Sequence, residues 1–268
     1  MERILSVLGL AACLAAGVVS CGQTAPPDRL SVTATTAMLG SICEAIGKDR
    51  VAVNTIVPAG MCPGHFDITA QGIKNLVDSR LVISHGWEQW VTRLLDAADW
   101  QPVLHSLDMA ENMMVPPAHM AAAGRIAALL CSLDRAHEAY YMGNLRQYRT
   151  TVDSLTERAR QDRERFGALR IACSELQSEF VEWLGFNVVV TFKRAEDLTP
   201  KMLKEVISQA RNGGAALVID NLQSGSDAGA TVARELGVPH VVLTNFPLSG
   251  SYPDALRDNC AAILEAIR

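Results

Sequence analysis

Short apolar runs rich in Val and Ile alternate along the chain with stretches whose apolar positions recur every three or four residues. The first kind reads as buried strand and the second as amphipathic helix. Strands are predicted at Leu30–Thr35, Val51–Val57, Leu81–Ser84 and Pro102–Leu104, with helices at Thr36–Ile46, Thr69–Asp78 and Trp87–Ala98. A second set follows, with strands at Leu169–Cys173, Asn187–Phe192, Ala215–Asp220 and His240–Thr244. Its helices are Glu175–Leu184, Pro200–Arg211, Asp227–Leu236 and Tyr252–Ile267. Thr199 before Pro200 supplies an N-cap and a proline at the first helical position. Strand–helix alternation implies parallel sheets covered on both faces, and two sets imply two α/β lobes.

The segment between the sets differs. From Asp134 to Phe166 there is no proline and one glycine, Gly143. Tyr141, Leu145, Tyr148, Val152, Leu155 and Ala159 fall on one helical stripe, with Arg146, Arg149, Asp153, Glu157 and Arg158 elsewhere on the surface. At ~1.5 Å per residue, such a helix spans about 50 Å, enough to bridge two lobes. A dimeric coiled coil would need more repeats and less alanine and tyrosine. The expected organisation is an N-terminal lobe over 30–133, a connecting backbone helix over 134–167 and a C-terminal lobe over 168–268.

The amino-terminal end adds a destination. Ile4 to Ser20 carries no charge and ends in small residues, too short for a bilayer span and suited to a secretory signal over 1–20. Val18-Val19-Ser20-Cys21 resembles a bacterial lipobox, so Cys21 is the expected lipidated residue, followed by a tether to residue 29. That places the chain in the cell envelope, on the extracytoplasmic face of a membrane. Composition agrees with a folded chain: 268 residues, 49% apolar, net charge −5 and no basic stripe, which argues against a nucleic-acid partner. Setting aside Cys13 and Cys21, five cysteines remain (Cys43, Cys62, Cys131, Cys173 and Cys260), so at least one is unpaired within the chain. There is no C-x-x-C pair to suggest a zinc ribbon or a redox motif.

Three segments carry a family resemblance: Val57-Pro58-Ala59-Gly60-Met61-Cys62-Pro63-Gly64-His65-Phe66-Asp67-Ile68-Thr69, Leu81-Val82-Ile83-Ser84-His85-Gly86-Trp87-Glu88 and Leu133-Asp134-Arg135-Ala136-His137-Glu138-Ala139-Tyr140-Tyr141. With the two lobes and long helix, they resemble the helical-backbone metal receptors, the solute-binding lipoproteins of zinc- and manganese-type ABC importers. The resemblance implies a monomeric receptor that passes its cargo to a permease and an ATPase, with no catalytic cofactor. It also implies that His65 is the first metal ligand. Elsewhere the chain departs from the family pattern: Asn112 stands where a second histidine is expected, Ser174 where a third ligand is expected, and Asn245 where an acid is expected. A shifted register would put His119 in the second position.

Asn and Ser are poor neutral substitutes in a zinc site, which draws on N, S and charged O donors. Two readings follow. New donors (Cys62, Cys173, Glu175, His119, or Met113 and Met114) could favour a softer ion such as copper(I). Alternatively the ligand is a metal chelate or other small molecule that Asn and Gln side chains can orient. Glu175, Gln177, Asn221, Gln223 and Asn245 all fall at predicted strand ends, where ligands collect in parallel sheets. Amides there serve equally to cap helices and turns. His85, His105, His137 and His240 read as ordinary core or surface residues, Met38, Met109 and Met120 as core filling, and Cys43 and Cys131 as buried thiols. Trp87 and Trp90 suit either the cleft or the packing of a helix start. Lys193-Arg194 reads as an exposed turn rather than an anion contact. An exported enzyme with Cys62 or Cys173 as nucleophile and His65 as base is the rival function, and a periplasmic metal chaperone or adhesin shares the same fold.

Overall fold

Among the described residues the apolar runs form eight strands: β1 (Leu30–Ala34), β2 (Val51–Thr55), β3 (Leu81–Ser84), β4 (Val103–Ser106), β5 (Arg170–Ser174), β6 (Asn187–Phe192), β7 (Leu217–Asn221) and β8 (His240–Leu243). They make two four-stranded sheets, ordered β2-β1-β3-β4 and β6-β5-β7-β8, and every pairing is parallel. This computed structural model describes residues 29–66, 68–97, 102–109 and 111–268. The expected signal, lipidated Cys21 and most of the tether lie outside them.

The helices are α1 (Ala37–Gly47), α2 (Ala70–Val77), α3 (Gln89–Ala97), α4 (Pro116–Leu133), α5 (Glu138–Gln161), α6 (Arg163–Gly167), α7 (Ser178–Leu184), α8 (Pro200–Asn212), α9 (Asp227–Leu236) and α10 (Tyr252–Ala266). Thr36, Thr69 and Thr199 each accept a backbone N–H from the first turn that follows, and Ser251 with Asp254 closes a capping box.

Two features differ from the sequence expectation. Helix α4 buries Ala118, His119, Met120, Ala122, Ala123, Ile126, Ala127 and Leu130 around much of its circumference, so it lacks the one-sided stripe by which a surface helix is recognised. The continuous helix expected over 134–166 is instead interrupted at both ends. Asp134 leaves helical geometry (φ −138°, ψ 71°), Arg135–His137 forms a 3-10 turn, and Asp162 separates α5 from α6. The Asp134 carboxylate fixes the first break by accepting from the Tyr141 hydroxyl at 2.7 Å and bonding His137 Nδ1 at 2.8 Å.

Over its 24 residues α5 runs about 36 Å. Its buried face, Tyr141, Leu145, Tyr148, Val152 and Ala159, lies on the predicted stripe. Burying each large apolar side chain contributes roughly 1.5–3 kcal/mol relative to exposure. Helix α5 packs on α1 of the first lobe and α10 of the second, and one apolar core runs through both.

Candidate functional site

A cavity of about 320 Å³ opens between the lobes. Met38 comes from α1, His85 and Trp87 from the loop after β3, and Met109, Glu111, Asn112 and Met113 from the segment after β4. The second lobe contributes Glu175, Leu176 and Glu179 from the β5–α7 turn and its helix, with Asn245 and Phe246 after β8. Residues that follow strand ends thus supply both walls.

His85 and Trp87 are held from below. Glu88 is 4% exposed, and its Oε1 accepts from Thr35 Oγ1 at 2.5 Å and His85 N at 3.1 Å, while Oε2 accepts from Gly86 N at 3.0 Å. Gly86 sits at φ 105°, where a side chain is strained and a Cβ would collide with Asp108. The turn therefore presents Trp87, half-exposed and stacked on the His85 ring with centroids 5.2 Å apart. His85 Nε2 bonds Thr36 Oγ1 at 2.9 Å. Burial lowers the His85 pKa below its ordinary value, with Glu88 acting in the opposite sense. From sequence alone His85 reads as an ordinary core or surface residue, and nothing singles out Glu88. The signal that could have found them is their place in the first four residues after a predicted central strand.

The amides expected to meet ligand largely satisfy one another. Gln177 Nε2 donates to Asn245 Oδ1 at 3.1 Å, and Asn112 Nδ2 donates to the same oxygen at 3.4 Å. Asn245 Nδ2 and Asn112 Nδ2 each donate to Leu176 O at 3.0 Å. Asn112 N donates to Glu179 Oε2 at 2.5 Å. Gln223 extends the web, donating to Thr244 Oγ1 at 2.8 Å and to Ala59 O of the first lobe at 2.9 Å, and accepting from Asn245 N. These bonds join the β4–α4 segment and the β2 loop to the second lobe.

The other expected site residues are dispersed. Asn221 is buried and caps a 3-10 turn by accepting from Ser224 N, the capping role that amides at strand ends commonly play. Ser174 ends β5 with its Oγ accepting from Leu176 N. Cys173 is fully buried, and burial pushes its thiol up to about 12, which disfavours a thiolate donor or nucleophile. Cys62 is half-buried with its Sγ 4.0 Å from an Arg194 guanidinium nitrogen, so Arg194 reaches across the lobes and also pairs with Asp197 and Glu196. His65 closes the Pro63–His65 3-10 turn in this same loop.

His119 does not line the cavity. It lies between α5 and α10, fully buried, stacked on Tyr252 with centroids 3.4 Å apart and bonded through Nε2 to the Tyr148 hydroxyl. Burial lowers its pKa to about 3. Among the described residues, no three His, Cys, Asp or Glu side chains converge as a metal site.

Two parallel α/β lobes, a long helix packed on both and a cleft lined from strand ends define a two-lobed binding protein. The chain belongs to the family described as zinc-uptake complex component A periplasmic, ZnuA, which matches residues 32–266. It is similar to the manganese ABC transporter substrate-binding lipoprotein PsaA of Streptococcus pneumoniae, 23% identical over 190 residues that cover 60% of this chain and 61% of PsaA. The chain thus spans about three fifths of the length of that curated relative. Among solved structures, ZnuA superposes with a TM-score of 0.76 at 18% identity, covering 90% of this chain and 100% of that one. The laminin binding protein of Streptococcus agalactiae, described as having adhesin and metal transporting activity, gives 0.78 at 16% identity, covering 89% and 100%. At such identities the superpositions establish the shared fold.

Proposed function

We propose that the chain is the lipid-anchored solute-binding component of an ABC importer. It captures a transition metal ion or a metal-containing small molecule between its lobes and passes the cargo to a permease and its ATPase. The observation that carries this reading is the interlobe cavity, lined by residues that follow β3, β4, β5 and β8. Membership of the zinc-uptake family supports it. The lobes are residues 30–133 and 168–268, joined by 134–167. Among the described residues no helix is long and apolar enough to cross a membrane, and the proposed anchor is a lipid on Cys21. His65 is the proposed first metal ligand, with Cys62 and Glu175 nearest in role. Asn112 ties the first lobe to Asn245, Leu176 and Glu179 of the second, and the receptor acts as a monomer that performs no chemistry on its cargo. Exported Cys–His catalysis is the weaker reading because of Cys173's burial.

Native mass spectrometry with elemental analysis of protein purified without added metal or chelator tests the proposal. A bound mass at about one per chain, with metal in it and reduced by His65→Ala, is expected. A chain that carries no mass and takes up neither free metals nor metal chelates would overturn it.

A further inference from the structure

The cavity is large for a bare ion and is built unlike a metal cage. Its volume, about 320 Å³, falls at the lower end of the ~300–1,000 Å³ range typical of small-molecule pockets. One wall is aromatic: Trp87 stacks on His85, and Phe246 approaches the His85 ring from the other lobe at 6.3 Å. Trp87 is 50% exposed, and the backbone N–H groups of His85 and Gly86 just before it are tied to the Glu88 carboxylate, so the indole stands on a fixed turn with one face on His85. Glu111, Glu175 and Glu179 line the same space, with no Lys or Arg among the described lining residues. Asn112 and Asn245, also in the lining, already bond to each other and to Leu176 O.

Resting on the receptor reading above, we propose that the cargo is a compact cation with a flat organic face, stacked on Trp87 and neutralised by the carboxylates. An aromatic face attracts a cation electrostatically, most strongly when it is tryptophan, and carboxylates with no competing base select the same sign. Such a ligand is either an organic cation or a positively charged metal complex of an aromatic chelator. Both share the recognition chemistry, and the two arms of the test separate them.

Isothermal titration of the purified chain uses four probes: phenyltrimethylammonium, the nickel(II) complex of bipyridine, nickel(II) alone, and benzoate as an anionic aromatic control. One or both cationic aromatic probes should bind, and benzoate should not. The arm that binds identifies the source. Trp87→Ala should weaken binding about ten-fold, while Trp87→Phe stays within about three-fold. Glu111→Gln with Glu175→Gln should weaken it further, each variant giving unchanged circular dichroism. Binding of nickel(II) alone, untouched by Trp87→Ala while both cationic aromatics fail, would overturn this ligand class and leave the receptor reading standing. Equal binding of benzoate would also overturn it. Failure of all four probes, with no bound mass in the purified chain, would remove both.

Discussion

The carboxylate of Glu88 is the support on which the first-lobe wall of the cleft depends, and Glu88→Gln tests that dependence without changing side-chain volume. The native side chain accepts three hydrogen bonds while 4% exposed, two on Oε1 from Thr35 Oγ1 and His85 N, one on Oε2 from Gly86 N. A glutamine whose oxygen keeps the first two makes them neutral, which lowers each by roughly 1 kcal/mol, since bonds to charged groups contribute about 1.5–3 kcal/mol and neutral ones about 0.5–1.5. Its NH₂ then faces the Gly86 N–H, a donor against a donor. Leaving that part-buried donor without its partner costs roughly another 1–3 kcal/mol. Relief of the penalty for burying a charge offsets part of the sum. The expected net loss is about 2–4 kcal/mol. In a chain of this size that corresponds to a fall in Tm on the order of 5–12 °C. Urea and thermal unfolding followed by circular dichroism measure it, and tryptophan fluorescence should report a looser Trp87. A Glu88→Gln protein within about 0.5 kcal/mol of the parent would refute the reasoning, because the three bonds would then contribute nothing net.

Three further outcomes follow from other parts of the molecule. His119 is kept neutral by burial, with its pKa lowered to about 3 from 6.5, whereas the unfolded chain protonates it near its ordinary value. The unfolded state then binds more protons, so stability should fall with decreasing pH between about 6.5 and 3 by up to roughly 1.4 kcal/mol per unit. His119→Gln should flatten the difference in urea midpoint over that window, and parallel profiles for parent and variant would contradict it. With a maleimide or iodoacetamide pulse in the native state, Cys62 should be labelled well before Cys43 and Cys173, whose thiols burial raises to about 12; peptide mapping reads the order, and early labelling of Cys173 would contradict its burial. Asn245→Leu removes the acceptor shared by Gln177 and Asn112 and the donor to Leu176 O, and should cost roughly 2–3 kcal/mol and widen the interlobe distance seen by small-angle scattering. An unchanged scattering profile together with unchanged stability would show that these bonds do not hold the lobes.

Much of the fold was legible because its signals are local. The Val and Ile runs at 30–34, 51–55, 81–84, 187–192 and 217–221 became strands near their expected bounds, and Thr199-Pro200 began a helix as its cap predicts. What escaped were elements whose signal is tertiary. Helix α4 is buried too widely to show a periodic stripe, and the break at Asp134 depends on Tyr141 and His137 folding back onto one carboxylate. Chain periodicity cannot register a contact between residues seven apart that depends on the turn it creates. The site was legible in position and less so in chemistry. Strand-end placement points to Glu175 and Asn245, which line the cavity, and groups with them Asn221, which caps a turn; the resemblance points to Asn112, which lines the cavity, while Cys173, expected as a possible replacement donor, faces the core.

The same departures from the metal-receptor pattern also account for how the cleft is held together. A ligand histidine or carboxylate at the position of Asn112 or Asn245 would direct its donors at a metal. An amide instead carries a donor and an acceptor together, so neighbouring amides can satisfy one another without an ion. Asn112, Asn245 and Gln177 form such a set, with Leu176 O as a common acceptor. Asn112, through Asn245 Oδ1 and Leu176 O, and Gln223, through Ala59 O, bond across the lobes without an ion. Helix α5, packed on α1 and α10, opposes large hinge opening from behind. In the proposed receptor, ligand would enter past the exposed Trp87. Binding should accordingly produce local changes at Trp87 in fluorescence and only a small change in radius of gyration. A scattering curve that contracts strongly on ligand addition would show that the amide set opens in the free protein.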